Sequence, residues 1–196
     1  MKKNKNHIGI DISKSSFDVA IKNENDKYLH FKFSNDSKGF TEFINLLDQN
    51  FSICVMEASG PYYLKLATYL FNKKVSVCVI NPLVIRRFSQ MRMSRTKTDK
   101  KDAVIIAEYG KTEKPNLWEP EADYVLEIKQ MQAFVEQMNK SRTGFIRQRE
   151  AFKHNTVEAF VLNESLEKMI NLIEPEIALI EDKMIAIIHH HHNQLF

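Results

Sequence analysis

His7-Ile8-Gly9-Ile10-Asp11-Ile12-Ser13-Lys14 is the stretch on which the reading of this chain turns. Ile8 and Ile10 alternate with Gly9 and Asp11, the period of a strand buried on at least one face. The strand ends on an acid, and a carboxylate near the middle of a sheet is expensive to bury unless something cationic meets it. Downstream acids are therefore the ones to follow: Glu57 in VMEASG, then Asp99 and Asp102 in TKTDKKDA.

Working outward, Phe17 to Lys22 alternates, a polar turn covers Asn23 to Asp26, and Tyr28 to Phe33 alternates again. With the opening strand, roughly His7 to Ile12, this makes a three-stranded antiparallel meander. Asn35 to Ser37 offers helix caps ahead of Phe40, Phe43, Ile44 and Leu47 at helical spacing. Ser52 to Met56 is a continuous apolar run, as in a strand covered on both faces. Glu57 stands at its end, Ser59-Gly60-Pro61 reads as a turn, and a helix follows over Tyr62 to Asn72. Val75 to Ile80 is a second buried strand, closed by Asn81-Pro82, with a short helix over Leu83 to Gln90. The order βββαβαβα predicts a mixed five-stranded sheet with flanking helices. It is the layout of ribonuclease-H-like domains, though other α/β folds share the string.

Thr96 or Thr98 can cap a further helix that begins near Asp99 and carries Ala103, Ile106 and Ala107 on one face. Lys111 to Pro120, with two prolines and the only tryptophan, reads as a linker or docking segment. The expected division is residues 1–111, a linker over 112–122, and a helical segment over 123–196. In that segment Ile128, Met131, Val135, Met138, Phe145 and Phe152 occupy seam positions, interrupted by Arg142 and Arg149. Leu166, Ile170, Ile173, Ile177, Ile180, Met184 and Ile187 then repeat four and three residues apart without a gap. Two long helices folded back as a coiled-coil hairpin would bury that seam against each other or against a second subunit. Pro175 is expected to kink the second helix or to mark a new start. His189 to His192 continues the helical stretch and reads as native sequence with no assigned role.

The 196 residues are 43% hydrophobic and 27% charged, which places the chain among globular proteins and away from disordered ones. No apolar run approaches the roughly 20 residues of a membrane span, and no apolar segment follows the basic start. No membrane partner is expected, and the cytoplasm is the expected compartment. Cys54 and Cys78 lie inside apolar strands and read as buried free thiols. Net charge is only +3, but Arg86, Arg87, Arg92, Arg95, Lys97, Lys100 and Lys101 cluster with Asp99 as the lone acid among them. Such a run suits a polyanion.

Asp11 and Glu57 end neighbouring strands in this topology, and Asp99 and Asp102 share a helix face. Four converging carboxylates would repel unless cations neutralise them. Mg²⁺ (or Mn²⁺), hard and oxygen-seeking, is the natural partner, and two such ions about 3.5–4 Å apart can act on a phosphodiester. Each acid also has a plain reading: Asp11 a turn former, Glu57 a loop acid, Asp99 a helix-dipole residue, Asp102 half of a salt bridge. Asp18, by alternation, is expected away from the cluster and solvated.

HIGIDISK, MEASGPY and RTKTDKKDA, in that order and spacing, resemble the N-terminal part of the DEDD-type insertion-sequence transposases. The resemblance covers essentially the whole chain and implies a RuvC-like domain followed by a coiled-coil segment. It implies Asp11, Glu57, Asp99 and Asp102 as metal ligands and catalytic acids. It also implies DNA recombination acting on element ends and target, and in some members a structured guide RNA. Family members continue into a C-terminal domain carrying a serine that attacks DNA. The chain stops at HNQLF, so the resemblance implies a truncated piece or a natural fragment, incomplete for strand exchange.

The basic run beside the acids would track a phosphate backbone, and Arg142, Arg147 and Arg149 form a second basic group on the first long helix. Arg142 and Arg149 fit either nucleic acid or pairing with acids of the second long helix. Oligomerisation through the helical segment, as a homodimer or larger, is expected. Two other functions fit the same residues: a stand-alone RuvC-like nuclease using metal-activated water, and a non-catalytic dimerising RNA- or DNA-binding fragment. An actin-like ATPase would need a glycine-rich phosphate loop where Ser13-Lys14-Ser15-Ser16 stands.

Overall fold

A computed structural model describes residues 5–92, 99–156 and 160–192. Two compact units divide at Pro120 and Glu121. The first holds strands β1 (Asn6–Ile12), β2 (Ser16–Lys22), β3 (Tyr28–Ser34), β4 (Ser52–Glu57) and β5 (Ser76–Ile80) in one sheet of order β3-β2-β1-β4-β5. β1, β2 and β3 pair antiparallel, whereas β1–β4 and β4–β5 are parallel. This is the mixed, ribonuclease-H-like arrangement expected from the order of elements.

Helices α1 (Ser37–Ile44), α2 (Tyr63–Asn72), α3 (Pro82–Met91) and α4 (Asp99–Glu113) complete the unit. Asp36 caps α1 by accepting from the Lys38 and Gly39 amides, and Asn81 caps α3 by accepting from the Leu83 amide. Each cap satisfies N–H groups that the first helical turn leaves without a partner.

The two sheet faces bury different sets. Ile8, Ile10, Ile12, Phe17, Val19, Cys54 and Met56 pack with Phe40 and Phe43 of α1 and Leu66 and Leu70 of α2. Val55, Cys78 and Ile80 pack on the other face with Ile85 of α3 and Ile106 of α4. Period-two alternation produces this split, so Gly9 and Asp11 share the α4 face. Gly9 is required there: a Cβ would collide with the Ala103 carbonyl oxygen and the Ala107 nitrogen. At Gly110 a Cβ would strike Val55 and come within 3.4 Å of the His7 ring.

The Lys111–Pro120 stretch is helical at its start, since α4 runs to Glu113. Beyond it the Trp118 amide donates to the Val77 carbonyl at 2.7 Å, and its indole meets Phe71 edge-on at 6.3 Å. Both cysteines are free and buried, and burial pushes both thiols up, Cys78 to about 11.

The second unit is two helices, α5 (Asp123–Phe152) and α6 (Phe160–His192), packed on each other. Tyr124 stacks on His191 with centroids 4.0 Å apart, and Arg142 lies 3.7 Å from Glu174. The beginning of one helix therefore meets the end of the other, so they run antiparallel. Val135, Leu166, Ile170 and Ile177 are buried along the contact. α6 runs on through Pro175, which begins no new element.

Candidate carboxylate site at one end of the sheet

Asp11 lies one residue before the end of β1, and Glu57 is the last residue of β4. The parallel register pairs Gly9 with Val55 and Ile10 with Met56, so one further step sets Asp11 beside Glu57 on the same face. α4 crosses that face against β1, β2 and β4. Its direction follows from the glycines: Ala103 and Ala107 lie over Gly9, while Gly110 lies over His7. The helix thus runs opposite to β1, and its first turns, with Asp99 and Asp102, lie toward the strand ends that carry Asp11 and Glu57.

Asp11, Glu57 and Asp102 are each half-buried. One oxygen of Glu57 accepts from the Ser59 hydroxyl at 2.8 Å, which orients that carboxylate. Among the described residues, no three Asp, Glu, His or Cys side chains are gathered closely enough to hold a metal. The side chains of Asp99 and Lys100 lie outside the described residues, as do Arg95 and Lys97 entirely.

Asp18 departs from expectation. It is the register partner of Asp11 and therefore on the same face, not away from it. Nor is it solvated, being only 6% exposed. His30 Nε2 lies 2.8 Å from one of its oxygens and Lys32 Nζ 3.2 Å from the other. The reason is the β1–β2 connection: a register shifted by one residue would have put Asp18 on the other face.

The basic residues divide by environment. Arg86 and Arg87 of α3 are exposed, as is Lys101 in the first turn of α4. Arg92 reaches Glu108 at 3.2 Å and Thr112 at 3.4 Å, with its guanidinium 4.7 Å from the Phe88 ring centroid. Glu108 also accepts from the Tyr28 hydroxyl at 2.5 Å. The Tyr28 hydroxyl and Arg92 hold Glu108 below the usual carboxylate range, and burial with Glu108 pushes Tyr28 up. On α5, Arg147 is exposed, while the Nε atoms of Arg142 and Arg149 are buried without a hydrogen-bond partner among the described residues.

The sequence of residues 8–152 matches the family described as transposase, of the DEDD IS110 type. The chain belongs to this transposase family. Pilin gene-inverting proteins of Moraxella lacunata and Moraxella bovis are each 36% identical to it over 148 residues, covering 71% of this chain. The chain spans 46% of the length of these relatives. Among the described residues, no helix is long and apolar enough to cross a membrane.

The Asp18–His30–Lys32 cluster and the Glu108–Tyr28–Arg92 network were not anticipated from the sequence. The first had a usable signal. Pairing Ile12 with Phe17 across the Ser13–Ser16 connection sets Asp18 opposite Asp11. The second joins a strand, a helix and an interhelical residue far apart in sequence, which no local pattern announces.

Proposed function

We propose that this chain is the RuvC-like, metal-dependent nucleic-acid-binding part of a DNA recombinase serving a mobile element. Asp11, Glu57, Asp99 and Asp102 are its Mg²⁺ (or Mn²⁺) ligands. One observation carries this reading. Two adjacent parallel strands end in acids on one face, and the helix bearing the other two begins toward that same end. The donor set fits the ion, because hard divalent cations take carboxylate oxygens from few side chains and leave room for phosphate. Bound there, the ion would supply charge neutralisation at the scissile phosphate.

The chain's own residues do the rest. Glu57 is oriented by Ser59. Gly9 lets α4 approach β1 closely enough for its first turn to serve the site. Arg86, Arg87, Arg92, Arg95, Lys97, Lys100 and Lys101 make backbone contacts that position a strand without reading its sequence. On α5 the exposed Arg147 offers a separate contact, whereas Arg142 beside Glu174 favours the structural reading of the seam arginines. The relatives are named for inverting a pilin gene. Carried to this chain, that supports duplex DNA, element ends and target, as substrate. A structured RNA guide, dimerisation through a coiled-coil hairpin, a linker over 112–122 and a cytoplasmic setting belong to the same proposal.

The test is calorimetric titration of Mg²⁺ and Mn²⁺ into the parent, Asp11→Ala and Asp102→Ala chains, alone and with a short branched DNA or a structured RNA. Circular dichroism checks the fold of each. Loss of metal binding, or of metal-dependent nucleic-acid affinity, in both folded variants is the expected result. Variants that match the parent would make the acids structural and remove the enzyme reading.

A further inference from the structure

Away from the carboxylates, at the far end of α4, a cavity of about 440 Å³ opens between the start of β1 and the segment after the helix. Lys5, Lys111 and Lys114 line it together with His7, and no acid does. The remaining wall is apolar and includes Ile53 and Leu117. Among the described residues no ion pair within 4 Å joins the three lysines to a carboxylate, and Lys111 acts at longer range to help hold Asp26 below its ordinary range.

Lys111 and Lys114 could serve merely to complement the carbonyl end of α4. That does not account for Lys5, which immediately precedes β1. Burial, aided by Lys111 and Lys114, holds His7 below its ordinary range, so its ring is a neutral hydrogen-bonding group at pH 7. Three ammonium groups, an apolar wall and a neutral imidazole lining one cavity suit an anion joined to a flat ring whose faces can rest on apolar side chains. The volume lies within the range of small-molecule sites.

We propose that this cavity binds a single nucleotide, with its phosphate among Lys5, Lys111 and Lys114 and its base against Ile53 and Leu117. The nucleotide is either free or one unit of a strand. From Asp102 to Lys111 is nine residues of helix, or about 14 Å at 1.5 Å per residue. The contact is thus separate from the acids and stands whether or not they bind metal.

The experiment is done in EDTA on the full chain, following the His7 ring proton resonance, assigned with His7→Gln. Titrants are uridine monophosphate, an eight-nucleotide uridine strand and inorganic phosphate. A saturable His7 shift with the mononucleotide, and none or a far weaker one with phosphate, is expected. A strand that binds ten-fold tighter than the mononucleotide makes the site a strand contact, and equal affinity makes it a mononucleotide site.

In parallel, anisotropy of the labelled strand should show at least a ten-fold loss for Lys5→Ala/Lys111→Ala/Lys114→Ala. The log–log salt slope should fall by about 2. Lys27→Ala/Lys38→Ala/Lys65→Ala, which removes equal charge from exposed positions elsewhere, should cost less than three-fold. A His7 resonance unmoved by either nucleotide overturns the proposal. So does a phosphate response equal to that of the mononucleotide, or a lysine variant that loses no more affinity than its charge-matched control.

Discussion

Asp18 shows what one residue of register can do. Its carboxylate is buried on the face that also carries Asp11, and both of its oxygens are occupied, one facing His30 and one facing Lys32. Truncation would strand a partly buried imidazole and release Lys32, so Asp18→Ala is expected to lower unfolding stability by about 2 kcal/mol. A cycle with His30→Ala should return a coupling of about 1 kcal/mol. Urea denaturation measures both, and additive single effects would mean the contact contributes nothing. Glu108 lends itself to a pH test. Its folded pKa is lowered from 4.5, so its contribution is present above that value and is lost as pH falls through the folded pKa. Tyr28 has the opposite sign: its folded pKa is raised, so stability is lost as pH rises above 10, where the unfolded phenol ionises and the folded one does not. Stability from this pair is therefore flat between those limits. Glu108→Gln should lower the plateau by about 1–2 kcal/mol and flatten the acid limb of the urea midpoint against pH.

Between elements, the contact that decides the site is α4 on β1, and Gly9 is its condition. Gly9→Ala would drive a methyl group into the backbone of α4 at Ala103 and Ala107, where no side chain can swing aside. A loss of about 3 kcal/mol is expected, at the upper end of overpacking costs. If the acids bind metal, its affinity should fall with the displacement of Asp102. Thermal melts and the Mg²⁺ titration check the two effects separately, and an unchanged melting temperature would mean that α4 does not lie this close to β1. The sheet itself was legible because its signals are local. Alternation marks β2 and β3, continuous apolar runs mark β4 and β5, and Asn81-Pro82 marks the start of α3. The direction of α4 over the sheet was not legible, since it is fixed by two glycines about a hundred residues apart, each meaningful only once its partner is known. Asp11, Glu57, Asp99 and Asp102 were singled out by motif order and family resemblance, and the strand ends and helix start that carry them lie toward one end of the sheet. Asp18 was misplaced because alternation gives a strand its two faces without saying which of them meets a neighbour's acid.

For the molecule as a whole, the open question posed by its surface is what covers α6. Leu166, Ile170 and Ile177 are buried, yet Met169, Leu172, Leu179, Ile185 and Ile188 of the same helix are exposed, Leu172 by 69%. Leu172 and Leu179, each two residues and so about 200° round the helix from Ile170 and Ile177, form with Met169 a second apolar stripe turned away from the seam. Two helices cannot bury both stripes, and an apolar strip of this length left in water favours association. A second hairpin would cover it and pair the two copies of the site-bearing unit, as the proposed recombinase requires. Burying each leucine is worth about 1.5–3 kcal/mol, so Leu172→Lys with Leu179→Lys should weaken a dimer by about 100-fold or more. Because the buried seam is untouched, helix content should stay at the parental level. Light scattering over a concentration series reads the outcome: a dimeric parent and a monomeric variant with the same circular dichroism spectrum. A parent that is monomeric at high concentration would end the dimer proposal while leaving the carboxylate site intact, since its acids all lie in the first unit.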